Sequence, residues 1–160
     1  MVKHVLLLMT LFLSFSVLSV KGENFVGVDY EIEGAGVGAQ GTYLVKVTVV
    51  SKKSKVQNAQ IARCAVHGVL FRGFVNKELR QNQKPLAGGP SAEAQHADFY
   101  KDFFSESGMS KNYVSAVKGS QQVVKSGKEY KVSTIVMVNK DQLLSDLKAA
   151  GVIRGLNSGF

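Results

Sequence analysis

The sequence predicts an α+β fold, an antiparallel sheet of about four strands with two or three helices packed on it in the order ββααββα. Three observations carry this expectation. Period-two apolar alternation occurs in two pairs of segments, each pair joined by a short glycine-containing connection. Helical periodicity occurs in three other segments. The alternating β-α-β order of a parallel sheet is absent.

The first strand runs from Phe25 to Ile32, where Val28, Tyr30 and Ile32 alternate with Asp29, Glu31 and Glu33. Gly34 to Gly41 is glycine-rich, and Tyr43 to Val50 resumes with Val45, Val47 and Val49, so the pair reads as a hairpin. Gly36, Gly38 and Gly41 match the spacing G-x-G-x-x-G, but nucleotide binding needs the third glycine to open a helix, and here a strand follows. The loop is therefore a turn in which glycine supplies positive φ.

Ser54 is a candidate cap for a helix spanning Val56 to Phe74, with Ala59, Ala62, Val66, Val69 and Leu70 on one face and Cys64 and Ala65 at its margin. Its small side chains suit close packing on a sheet. Arg63 and His67, one turn apart, are expected to edge this face and reach solvent. Asn76 to Ser91, with Pro85 and Pro90, reads as a polar loop. Ser91 then caps a helix from Ala92 to Ser105, whose aromatic residues Phe99, Tyr100, Phe103 and Phe104 read as core. Tyr113 to Lys125 and Glu129 to Val138 form a second hairpin, and alternation in the latter suggests a strand covered on both sides. Asn139 or Asp141 caps a last helix, Lys140 to Ala150, with Leu143, Leu144 and Leu147 inward and Gly151 as its left-handed stop.

The opening residues bear on address. Lys3 and His4 precede an apolar run from Val5 to Val20, and Val20 and Gly22 stand at signal-peptidase spacing, so residues 1–22 read as an export signal with Glu23 as the mature start. The alternative is an uncleaved anchor, although the run is shorter than the ~20 residues of a bilayer span. On the first reading, 23–153 is a single α+β domain, 154–160 a flexible tail, and the mature product, without a transmembrane segment, is periplasmic or secreted.

Charge and cysteine usage narrow the function classes. The formal net charge is +8, of which Lys3 and Lys21 of the signal supply two. From Lys46 to Lys84 the only acid is Glu78, and Lys52, Lys53, Lys55, Arg63, Arg72, Lys77 and Arg80 are the candidate residues for binding an anion or a partner. Nucleic acid is not expected for an exported protein, which leaves another envelope protein or an anionic polymer. Cys64 has no partner for an intramolecular disulfide and reads as buried. His67 and His96 have no ligand-spaced neighbours, so neither a metal nor another cofactor is expected.

A strand ending in a charged turn, followed by a helix with Ala59, Ala62, Arg63 and Ala65, resembles the small exported α+β domains of flagellar-assembly T-type proteins and related envelope lipoproteins. Gly127, Tyr130, Lys131 and Val132, leading into Val136 to Val138 and the helix Asp141 to Gly151, continue the likeness, which spans residues 41–153. The chain departs from that pattern in having no lipid-attachment cysteine and in its Pro85–Pro90 loop. The resemblance implies a non-enzymatic envelope interaction or assembly module, with no catalytic residues to carry over. The alternative is a small extracytoplasmic hydrolase, for which Cys64, His67 and Asp98, or the carboxylate pair Asp98 and Asp102, are the candidate groups.

Overall fold

The computed structural model describes residues 25–154; the signal and most of the tail expected from the sequence lie outside these residues. The elements in chain order are β1 (Tyr30–Gly34), β2 (Thr42–Ser51), α1 (Asn58–His67), a π-helical turn (Gly68–Arg72), β3 (Phe74–Asn76) and β4 (Gln81–Gln83). Next come α2 (Pro90–Gln95), α3 (Ala97–Phe103), a 3-10 turn (Met109–Tyr113), β5 (Val114–Ala116), β6 (Gln122–Ser126), β7 (Glu129–Asn139) and α4 (Lys140–Ala149). This is the expected α+β class, in the form of a five-stranded antiparallel sheet with helices on one face. Among the described residues no helix is long and apolar enough to cross a membrane.

Alternation sets the register. β1 pairs with β2, β2 with β7, and both β5 and β6 pair with the far edge of β7, all antiparallel. Tyr30, Val45, Val47, Val49, Val132, Val136 and Val138 thereby fall on one buried face, because a period of two sends alternate side chains to the same side. α1 covers them with Ile61, Cys64, Ala65 and Val66, and the π turn adds Val69, Leu70 and Phe71. Each such burial contributes about 1.5–3 kcal/mol for a large apolar side chain. The small-sided face does permit close approach: a Cβ at Gly68 would stand 2.7 Å from Cδ1 of Ile32.

Several local expectations are corrected. Ser54 does not cap α1; Gln57 occupies the cap position without a side-chain bond, and Ser51 Oγ instead accepts from the Lys53 amide. The helix expected to Phe74 is α-helical only to His67 and continues as the π turn until Gly73, at φ 71°, reverses the chain. The Asn76–Ser91 loop contains part of the β3–β4 hairpin, whose strand Gln81–Gln83 is too polar to show alternation. Ser91 is not a cap either: Gly89 precedes Pro90, whose fixed φ suits a first helical position. The Ala92–Ser105 helix is broken at His96, where ψ is 38°.

The expected Tyr113–Lys125 strand is realised as β5 and β6, lying along one edge of β7 with a bulge between them. There the Ser120 hydroxyl accepts from the Ile135 amide at 3.0 Å, and the Val117 amide donates to the Ile135 carbonyl at 2.9 Å. β7 is covered on one face only, since Ile135 and Met137 remain half-exposed. Of the two candidate caps for α4, Asn139 is the one used, its Oδ1 accepting from the Gln142 amide, and Gly151 takes the left-handed conformation at φ 73°.

Candidate functional site

The chemistry-bearing residues of α1 face inward. Tyr30 Oη lies 2.5 Å from Nδ1 of His67, and Nε2 of His67 lies 2.8 Å from Oε1 of Glu93. Burial raises the Tyr30 pKa and keeps its phenol protonated, so the hydroxyl donates to Nδ1 and the Nε2–H donates to Glu93. The chain of bonds joins β1, α1 and α2. Phe71 and Phe104 close around the imidazole edge-on at 5.3 and 5.4 Å between ring centres. Tyr30, His67 and Glu93 are all at least nine-tenths buried.

Two expectations fail at this point. Arg63 and His67 were to reach solvent, yet only 8% of Arg63 and 5% of His67 is exposed, because α1 presses its whole C-terminal half into the core. Arg63 donates to Gln60 Oε1 and is lost to any surface role. Cys64 is fully buried as expected; desolvation pushes its thiol up to about 11, the opposite of activation. Asp98 stands exposed on α3, and both His67 ring nitrogens are already engaged by Tyr30 and Glu93. The Cys64–His67–Asp98 trio is thus not assembled. Asp102, one turn from Asp98, is likewise exposed.

Register decides where the basic residues stand. Ser51, just before Lys52, Lys53 and Lys55, pairs with Tyr130, and Tyr130 pairs on its other side with Lys125. Lys131, flanked by Val50 and Val124, and Lys128 in the β6–β7 turn complete this end of the sheet. All six lysines are exposed, and the strands that lead to them, β2 and β6, are about seventy positions apart in sequence yet only ~10 Å apart across β7. The acids beside them are Asp29 and Glu129.

Lys77 and Arg80 lie apart from these in and beside the β3–β4 turn: Lys77 Nζ is 4.0 Å from Glu33 Oε2, and Glu33 pairs with Lys46, ~17 Å along β2 from Ser51. Arg72 lies 4.0 Å over the Tyr30 ring and donates to the Tyr30 carbonyl, so it serves the fold. The seven basic residues singled out in the sequence therefore separate into an exposed trio at one end of the sheet, a pair by the β3–β4 turn, one buried residue and one residue stacked on a ring. Lys125, Lys128 and Lys131 were missed because charge counted along the chain cannot see a strand that returns.

A groove of about 350 Å³ between α3 and α4 is lined by Phe99, Phe103, Met109, Tyr113 and Leu147, with Tyr113 donating to Asp146 at 2.8 Å. Among the described residues no three His, Cys, Asp or Glu side chains converge as a metal site. The Gly36–Gly41 loop leads into β2, so its amides do not open a helix. No family model matches this sequence, and it shows no significant similarity to a curated protein or to a solved structure.

Proposed function

We propose that the protein is an exported, non-enzymatic interaction or assembly module of the cell envelope, and that it engages an anionic protein or polymer through the lysine-rich end of its sheet. The observation that carries this reading is the convergence of Lys52, Lys53 and Lys55 with Lys125, Lys128 and Lys131, which concentrates positive potential on a rigid scaffold. The enclosure of His67 by aromatic rings and the full burial of Cys64 support a binding rather than a catalytic role. The module keeps the assembly character that its resemblance to flagellar-assembly T-type domains implies, and the Val5–Val20 run supplies the export.

The test is retention on immobilised polyglutamate. Reversing Lys52, Lys53 and Lys55 to Glu, or separately Lys125, Lys128 and Lys131, weakens binding by about tenfold or more, whereas reversing Lys77 and Arg80 leaves it within about twofold. Equal loss from the Lys77 and Arg80 control, or none from either triple, overturns the assignment. Export is read independently from the intact mass of the native product, which begins at Glu23.

A further inference from the structure

We propose that the outer edge of β6 is a strand-acceptor site for an extended acidic segment of another protein. The inference rests on the interaction-module reading and adds a mode of recognition to it, main-chain pairing in place of charge alone.

The two edges of the sheet are treated differently. At β1 the outer edge is blunted: Arg72 donates to the Tyr30 carbonyl at 2.9 Å, and Asn76 packs against Gly34 and donates to the Gly36 carbonyl at 3.0 Å. No such cover lies on β6 among the described residues. β6 pairs with β7 alone, all five of its residues are exposed, and Val123 and Val124 expose 47% and 60% of their surface. Alternate residues of such a strand send their amides and carbonyls outward, where a further strand completes the ladder. The edge is also held in place, because Ser120 and Val117 bond both backbone groups of Ile135 and prevent the strand from sliding along β7.

Charge selects the occupant. Lys118, Lys125, Lys128 and Lys131 flank this edge, and Glu129 is the single acid between Val117 and Lys131. A second copy of β6 would bring lysines together and is disfavoured. Successive residues of a strand point to opposite faces, so a segment alternating carboxylate and apolar side chains sets its apolar groups beside Val124 on one face and its acids beside Lys125 on the other.

The experiment titrates the purified protein, in the N-terminal form the cell leaves it, with two synthetic peptides of alternating Glu and Val. One has a normal backbone and the other is N-methylated at alternate residues, with equal charge. The normal peptide binds and slows amide exchange across residues 122–126, and the methylated peptide binds at least about tenfold more weakly. Equal binding of both overturns strand pairing while leaving the polyglutamate reading standing; loss of polyglutamate binding as well removes both. A Lys125→Thr variant supplies the remaining discrimination. If it dimerises while neither peptide binds the parent protein, the lysines only guard the edge against self-pairing and the proposal falls.

Discussion

Two buried tyrosines show how differently one hydroxyl can weigh. Tyr30 Oη is bonded to His67, whereas Tyr100 Oη is buried with no hydrogen-bond partner. Replacing Tyr30 by Phe strands the Nδ1 acceptor inside the core, and should cost about 1–3 kcal/mol by urea denaturation; Tyr100→Phe removes only a desolvated hydroxyl and should be neutral or stabilising. Equal losses from the two variants would refute the bonding pattern. Alkali tests the same burial. Burial raises Tyr100 to about 12, and burial followed by the Asp146 hydrogen bond raises Tyr113 to about 12, against an ordinary value of 10. Burial also raises Cys64 to about 11 from 9. The folded state thus holds these protons more tightly than the unfolded chain, so their contribution is complete below about pH 9 and is lost as pH rises toward 12. A denaturation midpoint that stays level across that range would contradict this. Of these residues, Cys64 was legible as buried from its apolar neighbours, but the partners of His67 were not. Glu93 lies 26 positions from His67 in a first helical turn, where an acid ordinarily faces water.

At the scale of elements, the junction after α1 depends on backbone that only glycine supplies. Gly73 has φ 71°, and a Cβ there would run into the Gln83 carbonyl oxygen, with Pro85 N at 3.0 Å. Gly73→Ala should therefore destabilise by at least about 1–3 kcal/mol, through left-handed strain and collision with β4. Gly127→Ala, at a similar φ of 62° but with open space around it, should cost less. Calorimetry on both variants separates the two terms, and equal losses would show that the β4 contact adds nothing. The β2 and β7 strands were legible because valines alternate with polar residues. The β3–β4 hairpin was not, since Gln81, Asn82 and Gln83 owe their strand form to pairing with Phe74–Asn76. The long segment after Tyr113 read as one strand because its composition is continuous, and its bulge exists only in the register against Ile135.

For the whole molecule, net positive charge distributed over a one-sided sheet gives opposite responses to salt. Raising ionic strength from about 0.01 to 0.15 M shortens the screening length from about 30 to 8 Å, so polyglutamate binding should weaken while repulsion within the fold also falls. The denaturation midpoint should hold steady or rise as binding declines. Binding insensitive to salt would exclude an electrostatic surface.

By itself the sequence determined the α+β class, the antiparallel hairpins, the small-sided helix against the sheet and the inward valines, because these follow from local period and side-chain size. Only the tertiary structure decided that His67 is sealed between Tyr30 and Glu93, that Arg63 is internal, and that Lys125, Lys128 and Lys131 join Lys52, Lys53 and Lys55. Which distant residues meet is set by strand register and helix docking, and these depend on how the whole core closes.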